Sequence, residues 1–178
     1  MKFVGREQWQ RAVLSNEEVM MADMLVKLYT LPELAPVLAQ LSAQDVEIRR
    51  ALVPEQHIVV DWVREHWGAA WASECGAALG RQPVSCFVAL EAAQLIGFSC
   101  HDATYKNFFG PFGVDPAQQR RGIGEALLLT TLHDMAAQGY AYAIIGGAGP
   151  GEFFTRVAGA IPIAESTPGI YRGMLRPR

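Results

Sequence analysis

The sequence predicts a mixed α/β fold: a mostly antiparallel, twisted sheet with flanking helices. Three observations predict it. After Pro83, two runs rich in β-branched and aromatic residues, "VSCFVALE" and "LIGFSCHD", flank the tight connection "AAQ", which is the pattern of a β-hairpin. A third extended run, "NFFGPFGV", leads through a helical pattern at 122–138 to the apolar run "YAYAIIGG". Strand, helix, strand in that order is a crossover and makes these two strands parallel. The third run is interrupted by Gly110, Pro111 and Gly113. Proline cannot donate to a ladder and glycine marks bulges, so this strand bends or splays and leaves backbone N–H groups free.

The elements follow in chain order. Residues 2–4 read as a short first strand, and 6–52 as helical, with breaks at Pro32, Pro36 and Pro54. Glu17, Glu18 and Asp23 read as the wet face of a helix, with a cationic substrate as the sharper alternative. "HIVVDWVREHWGAAWASECGAAL" reads as one long helix. Its Val59, Val63, Trp67 and Trp71 recur every four residues, and Gly68 sits inside it at a cost of about 1 kcal/mol relative to Ala. That stripe, with Trp62 and His66 beside it, is expected to pack as core; a ligand wall or a dimer face is the alternative. The hairpin and crossover come next. In the crossover helix Ile123, Leu127, Thr131 and Met135 form one row, and Gly139 ends it as a C-cap. "PGEFFTRVAG" is a short helix with proline near its start and glycine at its end. "AIPIAE" and "IYRGML" read as two closing strands around the turn "STPG".

Composition narrows the functional classes. A chain of 178 residues, 51% hydrophobic and 19% charged, suggests one domain with an ample core. The net charge of −3 gives no support to a broad nucleic-acid footprint. The three cysteines, Cys75, Cys86 and Cys100, contain no Cys-x-x-Cys pair, so neither a disulfide framework nor a zinc site is indicated and no metal is expected. No apolar run is long enough for a signal peptide or a membrane span. The expectation is a soluble cytoplasmic protein with no membrane partner. His57, His66, His101 and His133 share no metal spacing and read as structural. No Gly-x-Ser-x-Gly elbow and no Gly-x-Gly-x-x-Gly loop occurs, which removes the usual bases for a serine hydrolase or a Rossmann nucleotide site.

The stretch that carries chemistry is "VDPAQQRRGIG", from Val114 to Gly124, between the interrupted strand and the crossover helix. The first turn of a helix has four N–H groups without intrahelical partners, and the macrodipole adds about half a positive charge. Gly122 and Gly124 leave room for a phosphate to approach those groups, and Arg120 and Arg121 add formal charge. The cradle suits a pyrophosphate. A plain turn with a solvated charge pair is the bland alternative.

Here the residues resemble a known family. Gln119-Arg120-Arg121-Gly122-Ile123-Gly124 resembles the Gln/Arg-x-x-Gly-x-Gly/Ala loop of the GNAT superfamily of acyl-CoA-dependent N-acyltransferases; Val114-x-Pro116 ahead and Ala126-Leu127 behind are similar too. The likeness covers about residues 83–175, while 6–82 would be a variable region that shapes the substrate side of one domain. It implies a V-shaped splay in the sheet. It implies that acetyl-CoA, as cosubstrate, sets its pyrophosphate on the amides of Arg120, Arg121, Gly122, Ile123, Gly124 and Glu125, near Gln119. Its pantetheine arm would pair with the backbone of Phe112, Gly113 and Val114, and Phe153 and Phe154 would flank the arm. An amine acceptor would attack the thioester directly.

The sequence departs from the family pattern at two positions. Phe154 stands near where many members carry a proton-donating tyrosine, and Gly147 falls where many carry an asparagine. Tyr171 is the replacement donor that the implied fold suggests, with Tyr105, His101 and Asp102 as further candidates. The first expectation is acetyl transfer to a primary amine of a small molecule or a protein. A non-catalytic acyl-CoA binder or sensor, and an interaction module built on the tryptophan helix, are the rivals. The oligomeric state stays open, with a homodimer compatible with the resemblance.

Overall fold

A computed structural model describes residues 22–149 and 151–175. The expected strand at 2–4, the start of the expected helical segment, and Glu17 and Glu18 lie outside the described residues. One seven-stranded sheet runs through the molecule in the order β2-β3-β4-β5-β6-β1-β7. Its strands are β1 (Met24–Lys27), β2 (Val46–Arg50), β3 (Cys86–Glu91), β4 (Gln94–His101), β5 (Phe108–Val114), β6 (Tyr142–Ile145) and β7 (Ile161–Pro162). The helices are α1 (Ala35–Ser42), α2 (Gln56–Trp67), α3 (Ala69–Leu79), α4 (Ile123–Ala137) and α5 (Gly151–Ala158). The β5–β6 pair is parallel and every other recorded pair is antiparallel.

The hairpin and the crossover form as the turn residues and periodicity dictate. Ala92 and Ala93 take positive φ between β3 and β4. The strand register matches Cys86 with Cys100 and Phe87 with Ser99. α4 lies across one face of the sheet. Its Ile123, Ala126 and Leu127 pack with Phe87, Ala89 and Ile96. Farther along, Leu128, Leu132 and Met135 pack with Val26, Ala143, Ile145 and the α5 residues Phe154 and Val157. α2 and α3 cover the opposite face, where Val59, Val63, Cys75 and Leu79 meet Val88 and Phe98. Trp62, Trp67 and Trp71, each half-buried, pack at the rim of that cluster.

Five expectations are corrected. The long helix is two helices, because Gly68 turns to φ +92° and breaks the hydrogen-bond run between α2 and α3. The described part of the segment read as helical contains two strands as well as α1. "MLVK" becomes β1 because it completes the ladder between β6 and β7, a long-range partner that local propensity does not reveal. "VEIRR" becomes the edge strand β2 along β3. Asp23 is not on a wet helix face: it is buried at the entrance to β1, its carboxylate accepting the Gly147 N–H at 2.9 Å. "IYRGML" is not a strand, since Gly169 and Gly173 take φ +55° and +79° and coil the chain into a 3-10 turn at Gly169–Tyr171. "AIPIAE" keeps only the two-residue β7.

Candidate active site

The site is built where β5 parts from β6. The two strands share only the pairs Phe108–Ile144 and Phe109–Ile145. Beyond Phe109, β5 stays on β4, with Phe112 opposite Ser99, Gly113 opposite Phe98 and Val114 opposite Gly97. Phe109, Phe112 and Val114 all pack on the α4 face, so the usual alternation slips at Gly110-Pro111, the bulge its residues predict. Its other edge looks into the opening left by β6, the V-shaped splay.

At the far end of β5 the chain makes the cradle. Asp115 accepts the Ala117 N–H at 2.9 Å and caps the short turn Pro116–Gln118. Arg120 takes φ +68° and Gly122, the N-cap of α4, takes φ +89°. An N-cap glycine has no side chain to satisfy the first-turn N–H groups, and the helix has no side-chain cap there. A Cβ at Gly124 would rest in ordinary contact with the Phe112 and Phe153 rings, at 3.4 and 3.6 Å.

Arg121 is placed differently from a free anion arm. It donates to Glu91 at 2.8 Å, to Gln44 at 3.3 Å and to Gln118. It thereby ties the cradle to β3 and to the loop before β2. Glu91 is held below the usual carboxylate range by that guanidinium.

Aromatic rings line the opening. Phe112 and Phe153 stack nearly parallel, 9° apart with centroids at 6.1 Å. Phe154 is buried edge-on to Phe109 and Phe112. On the other face Trp67 lies against β5, and a Cβ at Gly113 would fall 2.5 Å from its ring. Trp62, His66 and Trp71 continue this wall.

Titratable groups gather beside Gly146, the residue after β6. A Cβ built there would be 3.1 Å from the Tyr171 hydroxyl and 3.1 Å from the Phe108 ring. Burial pushes the Tyr171 phenol up to about 12, with the charges of Glu74 and Asp23 adding to it, so it stays protonated at neutral pH. Glu74, half-buried on α3, is pushed up by burial, against a hydrogen bond from the Thr104 hydroxyl. The sequence offered Tyr171 as a candidate donor, and the fold sets its hydroxyl beside Gly146. It did not offer Glu74 or Thr104, because only packing against the loop after β4 makes Glu74 half-buried.

The other sequence candidates lie elsewhere. His101 is fully buried on the α4 face and bonds Asp134 at 2.8 Å, while its Nδ1 has no hydrogen-bond partner. Asp102 accepts from Tyr140, Arg81 and the Asn107 N–H, which is structural work. Tyr105 is exposed and leans on Phe108 at 6.0 Å. His57 is exposed; His66 and His133 contact the carbonyls of Trp62 and Pro32 at 2.8 Å each. One grouping had no sequence signal: Cys75, Cys86 and Cys100 come from three elements and meet in the core.

With this geometry in view, the family comparison is decisive. The Acetyltransferase (GNAT) family is matched over residues 49–148, more than half of the chain. The chain belongs to that family. A mycothiol acetyltransferase of Gordonia bronchialis is 38% identical to this GNAT chain over 106 residues, 55% of the chain and 33% of the relative. The chain thus spans about a third of that curated relative's length. Among solved structures, a GCN5-related glucosamine N-acetyltransferase region of a fungal multi-domain β-N-acetylglucosaminidase aligns with TM-score 0.67 at 14% identity. That alignment covers 89% of this GNAT chain and 22% of the other. A GCN5-related N-acetyltransferase from Sphaerobacter thermophilus aligns with TM-score 0.55 at 16% identity, over 80% and 48% of the two chains. These likenesses establish the GNAT fold. Among the described residues no helix is long and apolar enough to cross a membrane.

Proposed function

We propose that this GNAT chain transfers an acetyl group from acetyl-CoA to a primary amine of a small molecule or a protein. The observation that carries the reading is the opening between β5 and β6. One end of it is a bare helix start, and beside Gly146 it has a raised carboxylate and a protonated phenol. Acetyl-CoA supplies the activated thioester. The amides of 120–125 take its pyrophosphate, with Gln119 at the loop's entry, while Arg121 stiffens the loop from behind. The free edge of Phe112–Val114 aligns the pantetheine arm, and an N–H of the bulged strand polarises the thioester carbonyl.

Glu74 takes the proton from the incoming ammonium, whose nitrogen then forms the C–N bond as the C–S bond breaks. Tyr171 gives its proton to the departing thiolate. A base that must be ionised makes the rate rise with pH through a value above the ordinary glutamate range. The carboxylates of Glu74 and Asp23 and the tryptophan wall favour a cationic acceptor with apolar bulk.

Calorimetry with acetyl-CoA, and thiol release across a panel of amino sugars, diamines and lysine peptides, test the proposal. Glu74→Gln and Tyr171→Phe should each lower kcat by about 100-fold while leaving acetyl-CoA affinity unchanged. Cofactor binding without turnover on any amine would favour the sensor reading, which rests on Phe154 having no proton to give. Absence of binding would remove both.

A further inference from the structure

We propose that Cys75, Cys86 and Cys100 form a binding site for a soft monovalent metal ion, Cu(I), behind the acceptor wall. Their sulfur atoms all lie within 4.8 Å of one another and all three residues are fully buried. Each comes from a different element. Cys86 opens β3 and faces Cys100 of β4 directly across the ladder, and Cys75 descends from α3 above them. Three backbone segments therefore set the triangle.

Its size fits a metal. A thiolate–metal distance of about 2.3 Å places three sulfurs around a central ion at about 4.0 Å from each other. Rotation of the side chains would have to close a gap of up to about 0.8 Å. The surroundings choose the ion. Ala51, Val59, Val63, Ala72, Leu79 and Phe98 enclose the trio. Among the described residues the group contains no histidine, aspartate or glutamate to complete a fourth position. Structural zinc takes four ligands in a tetrahedron. Sulfur-only sites lacking the fourth suit soft Cu(I).

Ligation would release the thiol protons to solvent, so affinity rises with pH. The ion would cross-link α3 to the β3–β4 hairpin. Glu74 immediately precedes Cys75, so loading would stiffen the helix that carries the site's carboxylate.

The test uses the whole chain, purified anaerobically and titrated with Cu(I) buffered by bicinchoninate. One Cu(I) per chain should be withdrawn from the chelator, with a near-ultraviolet thiolate-to-copper band, a sulfur-only shell in X-ray absorption and a raised melting temperature. Cys75→Ser should lower the affinity at least 100-fold, and Zn(II) should bind more weakly than Cu(I). Retention of copper by the chelator would overturn the site. So would a shell containing nitrogen or oxygen, or undiminished binding by Cys75→Ser. If that variant fails to fold, the absorption spectrum of the loaded parent chain decides.

Discussion

Gly113 shows how much one atom decides. The Trp67 ring lies so close to the β5 backbone that a methyl group has no room. Gly113→Ala should destabilise the chain by about 1–3 kcal/mol, read from denaturant midpoints, because overpacking forces either the ring or the strand to move. Trp67→Phe in the same background should recover part of the loss by shortening the ring. No recovery would place the strain in the strand. The tryptophan stripe was legible as apolar periodicity. That one ring seats on a catalytic-side strand was not, since nothing local links Trp67 to Gly113.

The elements are joined by polar ties as well as apolar faces. Asp134 of α4 meets His101 of β4 at 2.8 Å, Arg50 of β2, and Gln138 at 2.7 Å. Burial alone would push its carboxyl up; the bonds from His101 and Arg50 outweigh that and hold it at about 2. A depressed folded value means the stabilisation is present above the unfolded value of about 3.9 and is lost as pH falls toward 2. Its side chain is only 15% exposed, so screening is limited. Acid titration of stability should therefore show a drop of about 2 kcal/mol across that window. Asp134→Asn should flatten that part of the curve. At the α2–α3 joint, Gly68→Ala meets no neighbour but must hold φ +92°, and should cost about 1–2 kcal/mol by thermal unfolding.

At the scale of the whole molecule, β1 is the unexpected member. A four-residue strand from near the start of the described chain sits between β6 and β7 and pairs with both. Without it the sheet ends beside the proposed opening. Val26 is fully buried there. Val26→Ala should cost about 2 kcal/mol from lost burial and the cavity left behind. It should also speed amide hydrogen exchange at Ala143 and Ile145 more than at Val88. Equal change at both would mean that β1 supports the molecule generally, with no local role at β6.

The hairpin, the crossover, the interrupted strand and the glycine loop were legible because their signals are local. Alternation, helical period, turn residues and a helix-start motif act within a dozen residues. They sufficed to indicate the fold class and to place the cradle at the start of α4. The folded chain alone decided the rest. "MLVK" is a strand only because β6 and β7 flank it, and Gly68 breaks a helix whose apolar stripe continues on both sides. Glu74 and Tyr171 become neighbours across nearly a hundred residues, and three cysteines with no shared spacing converge. Such contacts depend on which surfaces the sheet brings together, and no periodicity along the chain encodes that.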